Sequence, residues 1–309
     1  MSDQEITQEF EAGDLAEAPP APPTPTVLAA VTFGAKTDLG RARENNEDRF
    51  DFQEPERPGV LASRGCLYAV ADGMGGHEAG QIASEVALKT FFRAYYADAS
   101  SSVDGALRAA VRSAHSLVTD TARLVPGRQG MGTTLTAAAV IGDRLWVAQV
   151  GDSRAYLLRD GQLRQVTKDH SWVQEQVDRG AMSLQDALLS PYRNVILRCL
   201  GASDNPEPDI YQEPLQVGDH FLLCSDGLTG VVEDHMLAKV MAEEAPTVAA
   251  CRLIDLANER GGPDNITVVI LRIDALQPLD GQAIPNSSGA ASDPSNPPRT
   301  KLPWWRRLG

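Results

Sequence analysis

The chain has 309 residues, with 42 Asp and Glu against 28 Lys and Arg and a formal net charge of −14. That balance excludes nucleic acid as a primary partner, because phosphate backbones are held by basic surfaces. No stretch offers about 18 consecutive apolar residues, which excludes a membrane-spanning helix.

The N-terminus lacks the basic-then-apolar order of a secretion signal. The four cysteines, Cys66, Cys199, Cys224 and Cys251, form no C-x-x-C pair, which suits a reducing compartment. A cytoplasmic protein is expected.

In chain order, residues 1–30 carry Asp3, Glu5, Glu9, Glu11, Asp14 and Glu17, no Lys or Arg, and the run APPAPPTPT. They are expected to be a disordered tail, since such a segment assembles no apolar face. Residues 31–274 contain no long Pro/Ser/Gly linker and read as one domain. Within them, 66–71 reads as a buried strand, and 78–95 as a helix with Ile82, Val86, Lys89 and Phe92 near helical spacing. A second helix is expected over 103–124, with Asp104 near its start.

A β block follows, with turns at Gly142-Asp143, Gly151-Asp152-Ser153 and Asp160-Gly161. Its close spacing predicts consecutive antiparallel pairing. Residues 171–200 are polar and irregular, with short helical pieces, and suit a flap that gates protein substrates. A strand at 220–224, helices near 233–243 and 247–259, and the strand ITVVILRI complete the domain. Segregated runs of strands and helices indicate an α+β fold. Residues 275–309 read as a second disordered tail, ending in KLPWWRRLG.

Asp-Gly occurs five times, at 72, 104, 160, 226 and 280. Asp104 begins a helix, Asp160 turns a hairpin, and Asp280 lies in the tail. Asp72 and Asp226 differ because each follows a run that must be buried, which fixes the carboxylate at the rim of the core. The adjacent glycine lets backbone approach a ligand closely.

Two such carboxylates brought together would repel, and a cation between them resolves the conflict. Asp264 at the mouth of the last strand, Asp152 at a strand end, and Glu47 and Asp48 beside Arg43 are candidates to join them. All-oxygen ligation selects Mg²⁺ or Mn²⁺ over Zn²⁺. Each residue read singly also has a plainer explanation: the aspartates as turn residues, Arg43 as a solvated side chain, His77 as a helix cap.

Taken together, RENNEDR, VADGMGGHEAG, GTTLTAA, VGDSRAY, TKDHSWV, LCSDGLTGVV and GGPDNITVVI, in this order across 31–273, resemble the PPM family of metal-dependent phosphatases. These are the type-2C serine/threonine protein phosphatases, here in their bacterial form. The resemblance implies a four-layer α-β-β-α sandwich of two antiparallel sheets flanked by helices, with a dinuclear Mn²⁺ or Mg²⁺ site at one end.

It further implies that Asp72 bridges both ions, that the Gly73 carbonyl holds one, and that Asp226 and Asp264 hold the other. Asp48 and Glu47 complete the shell, and Asp152 with Asp226 takes a third ion. By the same resemblance Arg43 would clamp the substrate phosphate and His77 would act as general acid. The resemblance implies direct attack on phosphorus by a hydroxide that two such ions would supply, with no covalent phosphoenzyme; no cysteine lies in a C-x₅-R loop.

The expected substrates are phosphoproteins, including a Ser/Thr kinase whose signalling the enzyme reverses. The competing readings are the same fold acting on phosphotyrosine or a small phosphoester, and a catalytically dead scaffold that has lost its metal aspartates. A monomer is expected. The WWRR peptide suits docking to a protein groove or an anionic membrane surface, against an inert end.

Overall fold

The computed structural model describes residues 27–278, apart from residues 77, 101, 203 and 205. His77, the segments 1–26 and 279–309, and the WWRR peptide therefore lie outside the described residues. The first and last strands run past the limits expected at 31 and 274. Strand β1 (Val27–Asp38) pairs antiparallel with the last strand, β12 (Ile266–Pro278), from Val27 opposite Pro278 to Asp38 opposite Ile266.

Their pairing contains a bulge. Ala30 faces Ala275 while Val31 faces Ile273, so Asp274 is left over. The extra residue reverses the alternation of the strand, and Leu276 thereby returns to the apolar side occupied by Val269, Leu271 and Ile273.

Two five-stranded antiparallel sheets form the centre. One has the order β1, β12, β11 (His220–Cys224), β8 (Arg154–Arg159), β9 (Gln162–Gln165). The other runs β10 (Asp209–Pro214), β7 (Arg144–Val150), β6 (Leu135–Ile141), β3 (Cys66–Ala71), β2 (Arg49–Gln53). A two-stranded ribbon pairs β4 (Gly73–Met74) with β5 (Gly132–Thr133).

Period-two alternation decides what each face meets. In β3, Tyr68 and Val70 point between the sheets, while Leu67, Ala69 and Ala71 point to a helical layer. In β11, Phe221 and Leu223 face inward, and Leu222 and Cys224 face a second helical layer.

The first layer consists of α2 (Glu78–Ala97) and α3 (Val103–Leu124), preceded in the chain by the short α1 (Pro58–Arg64). On the other side lie α6 (Asp226–Thr229), α7 (Asp234–Glu243) and α8 (Pro246–Glu259). Between the two sets, α4 (Trp172–Asp178) and α5 (Leu184–Leu189) occupy the expected flap. The result is the four-layer α-β-β-α sandwich.

Helix α2 stands where its spacing placed it, while the expectation for the β block needs correction. The Ile82, Val86, Lys89, Phe92 row runs along the edge of the face that meets the core, with Phe92 buried in it. Ala83, Ala87 and Phe91 are fully buried, Lys89 is exposed, and Ile82 and Val86 are only partly covered. Small side chains suit this face because β3, on which α2 packs, presents Ala69 and Ala71 to the helices, so helix and strand come close together.

The β block is not one meander. β6 pairs with β7 and β8 with β9, but β7 and β8 lie in different sheets. The turn at Gly151-Asp152-Ser153 is thus a crossing between sheets, whereas Asp160-Gly161, both at positive φ (51° and 76°), is a true hairpin turn.

Candidate metal centre

The crossing from β7 to β8 is what delivers Asp152 to one end of the sandwich. Gly151 has φ 106° there, and a side chain at this position would put its Cβ 2.5 Å from Thr134 Cγ2. A buried polar chain fixes the crossing to the end of β3. The Thr134 and Ser153 hydroxyls lie 2.8 Å apart, the Asp72 N–H donates to Thr134 Oγ1 at 2.9 Å, and the Thr134 N–H donates to the Asp72 carbonyl at 2.9 Å. Thr136 and Gln149 extend it, with Gln149 Nε2 donating to the carbonyls of Ser153 (2.6 Å) and Gly151 (3.0 Å). Asp72 and Asp152 are thereby held by one network.

Asp226 opens α6 directly after β11. The Ser225 hydroxyl before it donates to Asp48 Oδ2 at 2.6 Å and accepts from the Thr267 N–H at 2.9 Å, which draws Asp48 under the two strand ends. Asp264 precedes β12. Arg43 Nη2 donates to its Oδ2 at 2.7 Å, and the Asn265 N–H donates to its Oδ1 at 2.8 Å. Asn265 also ties down the loop before β2, accepting from the Glu47 N–H at 2.8 Å and donating to the carbonyls of Leu39 (2.9 Å) and Asn45 (3.0 Å).

Glu47 lies against the start of α2. A Cβ on Gly80 would stand 1.8 Å from Glu47 Oε2, and one on Gly73 would stand 2.1 Å from the Gly80 carbonyl oxygen. Both glycines are required by this approach of backbone to backbone. The motif quoted around His77 contains Gly80, but its role shows only in three dimensions. The same holds for Thr134, Ser225 and Asn265, polar residues whose signal in the sequence is no more than their place at strand ends.

The five aspartates feel one another. Burial first, then the charges of Asp48, Asp226, Asp152 and Asp264, push the Asp72 carboxyl well above its usual range. Asp152 is pushed well up by burial and then by Asp226 and Asp169. Burial and the Asp264 charge raise Asp226, against a lowering contribution from its hydrogen bond with Asp72. Asp48 is pushed up to about 7, chiefly by burial, although the Ser225 hydrogen bond favours its ionised form. Arg43, exposed at the rim, is raised mainly by its bond to Asp264, with weaker help from the charges of Glu47 and Asp72.

Among the described residues, no three His, Cys, Asp or Glu side chains already converge as a closed coordination shell. What points to a cation is the donor set itself. Asp48 Oδ1, Asp152 Oδ1 and Asp226 Oδ1 are buried without a hydrogen-bond partner. Stranding an ionised carboxylate in this way costs several kcal/mol, and hard divalent cations take all-oxygen donors of this kind. The cysteines offer no alternative centre: burial pushes the Cys66 thiol up to about 11 and Cys224 to about 12. Asp48, Asp72, Gly73, Asp152, Asp226 and Asp264 thus gather with Arg43 and Glu47 at one end of the sandwich.

Known proteins resemble the chain in sequence and in fold. Residues 41–258 match the family model described as protein phosphatase 2C. The chain is 38% identical over 266 residues to the serine/threonine protein phosphatase PstP of Mycobacterium tuberculosis, a match covering 86% of this chain and 49% of PstP. It is 36% identical over 248 residues to the serine/threonine phosphatase stp of Listeria monocytogenes, covering 78% of this chain and 96% of stp. Among solved structures, the catalytic domain of PstP in complex with two manganese ions is similar with a TM-score of 0.68 at 37% identity, over 79% of this chain and 99% of that one.

The chain belongs to the protein phosphatase 2C family. It spans about half the length of the mycobacterial relative, and nearly all of the Listeria one.

Proposed function

We propose that the protein is a metal-dependent serine/threonine protein phosphatase that hydrolyses phosphoserine and phosphothreonine without a covalent intermediate. The observation that carries this is the set of three buried, partnerless carboxylate oxygens on Asp48, Asp152 and Asp226, within a cluster of five aspartates. PstP, whose catalytic domain binds two manganese ions, supports the choice of Mn²⁺ or Mg²⁺.

Asp72, the Gly73 carbonyl, Asp226 and Asp264 would hold two ions, with Asp48 and Glu47 completing the shell and Asp152 with Asp226 offering a weaker third place. When bound, such ions would bring the pKa of a coordinated water toward neutrality and offset the charge of the phosphate.

The protein's own residues supply the rest. The exposed Arg43 guanidinium presents a planar fork for two phosphate oxygens, and its bond to Asp264 fixes its place at the rim. His77, outside the described residues, would hold the proton needed by the serine or threonine oxygen as it leaves. Thr134 and Ser225 keep Asp72 and Asp48 in place so that neither must reorganise.

The scaffold reading loses ground because every aspartate of the constellation is present. The substrates of the names matched are phosphoproteins, and a Ser/Thr kinase is the proposed partner whose signalling is reversed. A cytoplasmic monomer is proposed; no helix among the described residues is long and apolar enough to cross a membrane.

The test is hydrolysis of a phosphothreonine peptide after chelation, with Mn²⁺ or Mg²⁺ added back. Restored turnover is expected. A metal-loaded protein without turnover would favour the scaffold.

A further inference from the structure

Far along α2 from its glycine-rich start, a groove of about 620 Å³ separates the last two turns of that helix from β2. β2 is an end strand of its sheet, so no strand among the described residues pairs with its outer edge. Phe52, Phe92 and Tyr96 line the groove with Lys89 and Arg93. Phe52 is 44% exposed even though its ring centroid lies 4.5 Å from that of Phe33 in β1. The Tyr96 hydroxyl donates to the carbonyls of Gly65 (3.0 Å) and Gln53 (3.2 Å), which holds the ring in place.

Lys89 pairs with Glu85 one turn earlier. Arg93 is exposed and has no ion-pair partner among the described residues. Asp51, also at the groove, is engaged by the Phe52 N–H at 2.9 Å.

Fixed aromatic faces bordered by cations suit one ligand chemistry, a polyproline II segment that carries acidic residues. The chain contains such a segment. APPAPPTPT, residues 18–26, runs directly into β1, and the residues before it include six Asp or Glu and no Lys or Arg.

Reach agrees. Phe33 stands six residues into β1 from Val27, about 20 Å along an extended strand. Residues 19–25 span about 22 Å as polyproline II.

We propose that the N-terminal segment of this chain docks in the groove between α2 and β2, with the proline run lying back along β1 so that Pro19 and Pro20 meet Phe52 and Tyr96 and the acidic residues before them lie toward Lys89 and Arg93. Tethering makes the contact feasible. A short linker supplies an effective concentration in the millimolar range, so an affinity too weak to see between separate molecules suffices here.

The test is amide hydrogen exchange on the full chain, read by mass spectrometry, for the wild type and two variants. One carries Pro20→Ala with Pro23→Ala, and the other Arg93→Glu. Faster uptake by threefold or more at 51–53 and 89–97 is expected in both, with uptake across β6 and β7 unchanged. Adding Glu9→Lys and Glu11→Lys to Arg93→Glu is expected to return the protection.

The proline changes lie outside the described residues, so unchanged uptake in that variant overturns the proposal whatever Arg93→Glu does to stability. Protection in the wild type that grows with protein concentration would also overturn it, since the occupant would then be a second copy.

Discussion

The Ser225 hydroxyl stands 2.6 Å from Asp48 Oδ2 and donates to it, while accepting from the Thr267 N–H at 2.9 Å. One hydroxyl therefore joins the loop before β2, the end of β11 and the start of β12. Ser225→Ala would strand a buried carboxylate oxygen and a buried N–H, each costing about 1–3 kcal/mol. Urea unfolding of the chelated protein is expected to show a loss of about 2 kcal/mol or more. A loss below about 0.5 kcal/mol, the size of an ordinary surface change, would contradict the assigned role.

The raised aspartates give the metal-free protein an unusual pH dependence. Asp48 is pushed up to about 7 in the fold, against 3.8 for the model carboxyl, and Asp72, Asp152 and Asp226 move the same way. Between those two values the folded chain holds protons that the unfolded chain has released. Stability from this source is full below about 3.8 and is lost as pH rises through the folded values, by up to about 1.4 kcal/mol per pH unit for each group. In chelator, Tm is expected to fall between pH 5.5 and 7.5. Saturating Mn²⁺ is expected to abolish or reverse that slope, because cations and protons compete for the same oxygens. Equal slopes with and without the ion would contradict a cation at these aspartates.

Gly151 carries the crossing between sheets. Its φ of 106° is disfavoured for any side chain, and an added Cβ would meet Thr134 at 2.5 Å. Gly151→Ala is expected to destabilise by about 2 kcal/mol or more and to displace Asp152. Gly161, at φ 76° with open space around its Cβ position, provides the control, since it lacks the clash. If Gly161→Ala costs as much in thermal unfolding as Gly151→Ala, packing at the crossing is not the cause.

The segment from α4 to Leu200 is tied down at its base by bridges from Ser171 to Ile196 and from Thr133 to Leu200. Its surface exposes Leu184, Leu188, Leu189 and Tyr192. Such a group of exposed apolar side chains suits contact with a polypeptide. Shortening residues 180–194 is expected to reduce hydrolysis of a phosphoprotein at least tenfold, while hydrolysis of p-nitrophenyl phosphate changes less than threefold. Equal losses on both would remove the proposed gating of protein substrates.

The layers were legible wherever a run was long and periodic. Helix α3 has the bounds expected of it, and β3, β11 and β12 sit where their apolar runs placed them. Strand β1 was not legible as far as Val27, because Ala29, Ala30 and Gly34 dilute its alternation and long-range packing, with β12 beside it and α8 against it, orders it.

The crossing at Gly151 looked like a hairpin because turn residues report a reversal of local direction and not which sheet receives the next strand. Of the aspartates proposed to hold metal, Asp72, Asp152, Asp226 and Asp264 stood out because each follows or precedes a buried run. Asn265 and Thr134 did not, since hydrogen bonds to residues more than 60 positions away leave no local pattern.

The central claim is that the aspartate cluster binds catalytic divalent ions. Its most direct measurement is a calorimetric titration of the chelated full chain with Mn²⁺, run beside phosphothreonine-peptide hydrolysis, for the wild type and Asp226→Ala. The account predicts at least two ions on the wild type, at least one fewer on the variant, and loss of turnover by a factor of about 10³ or more, the scale of removing electrostatic stabilisation from a reacting centre. Unchanged stoichiometry and turnover in Asp226→Ala would contradict it.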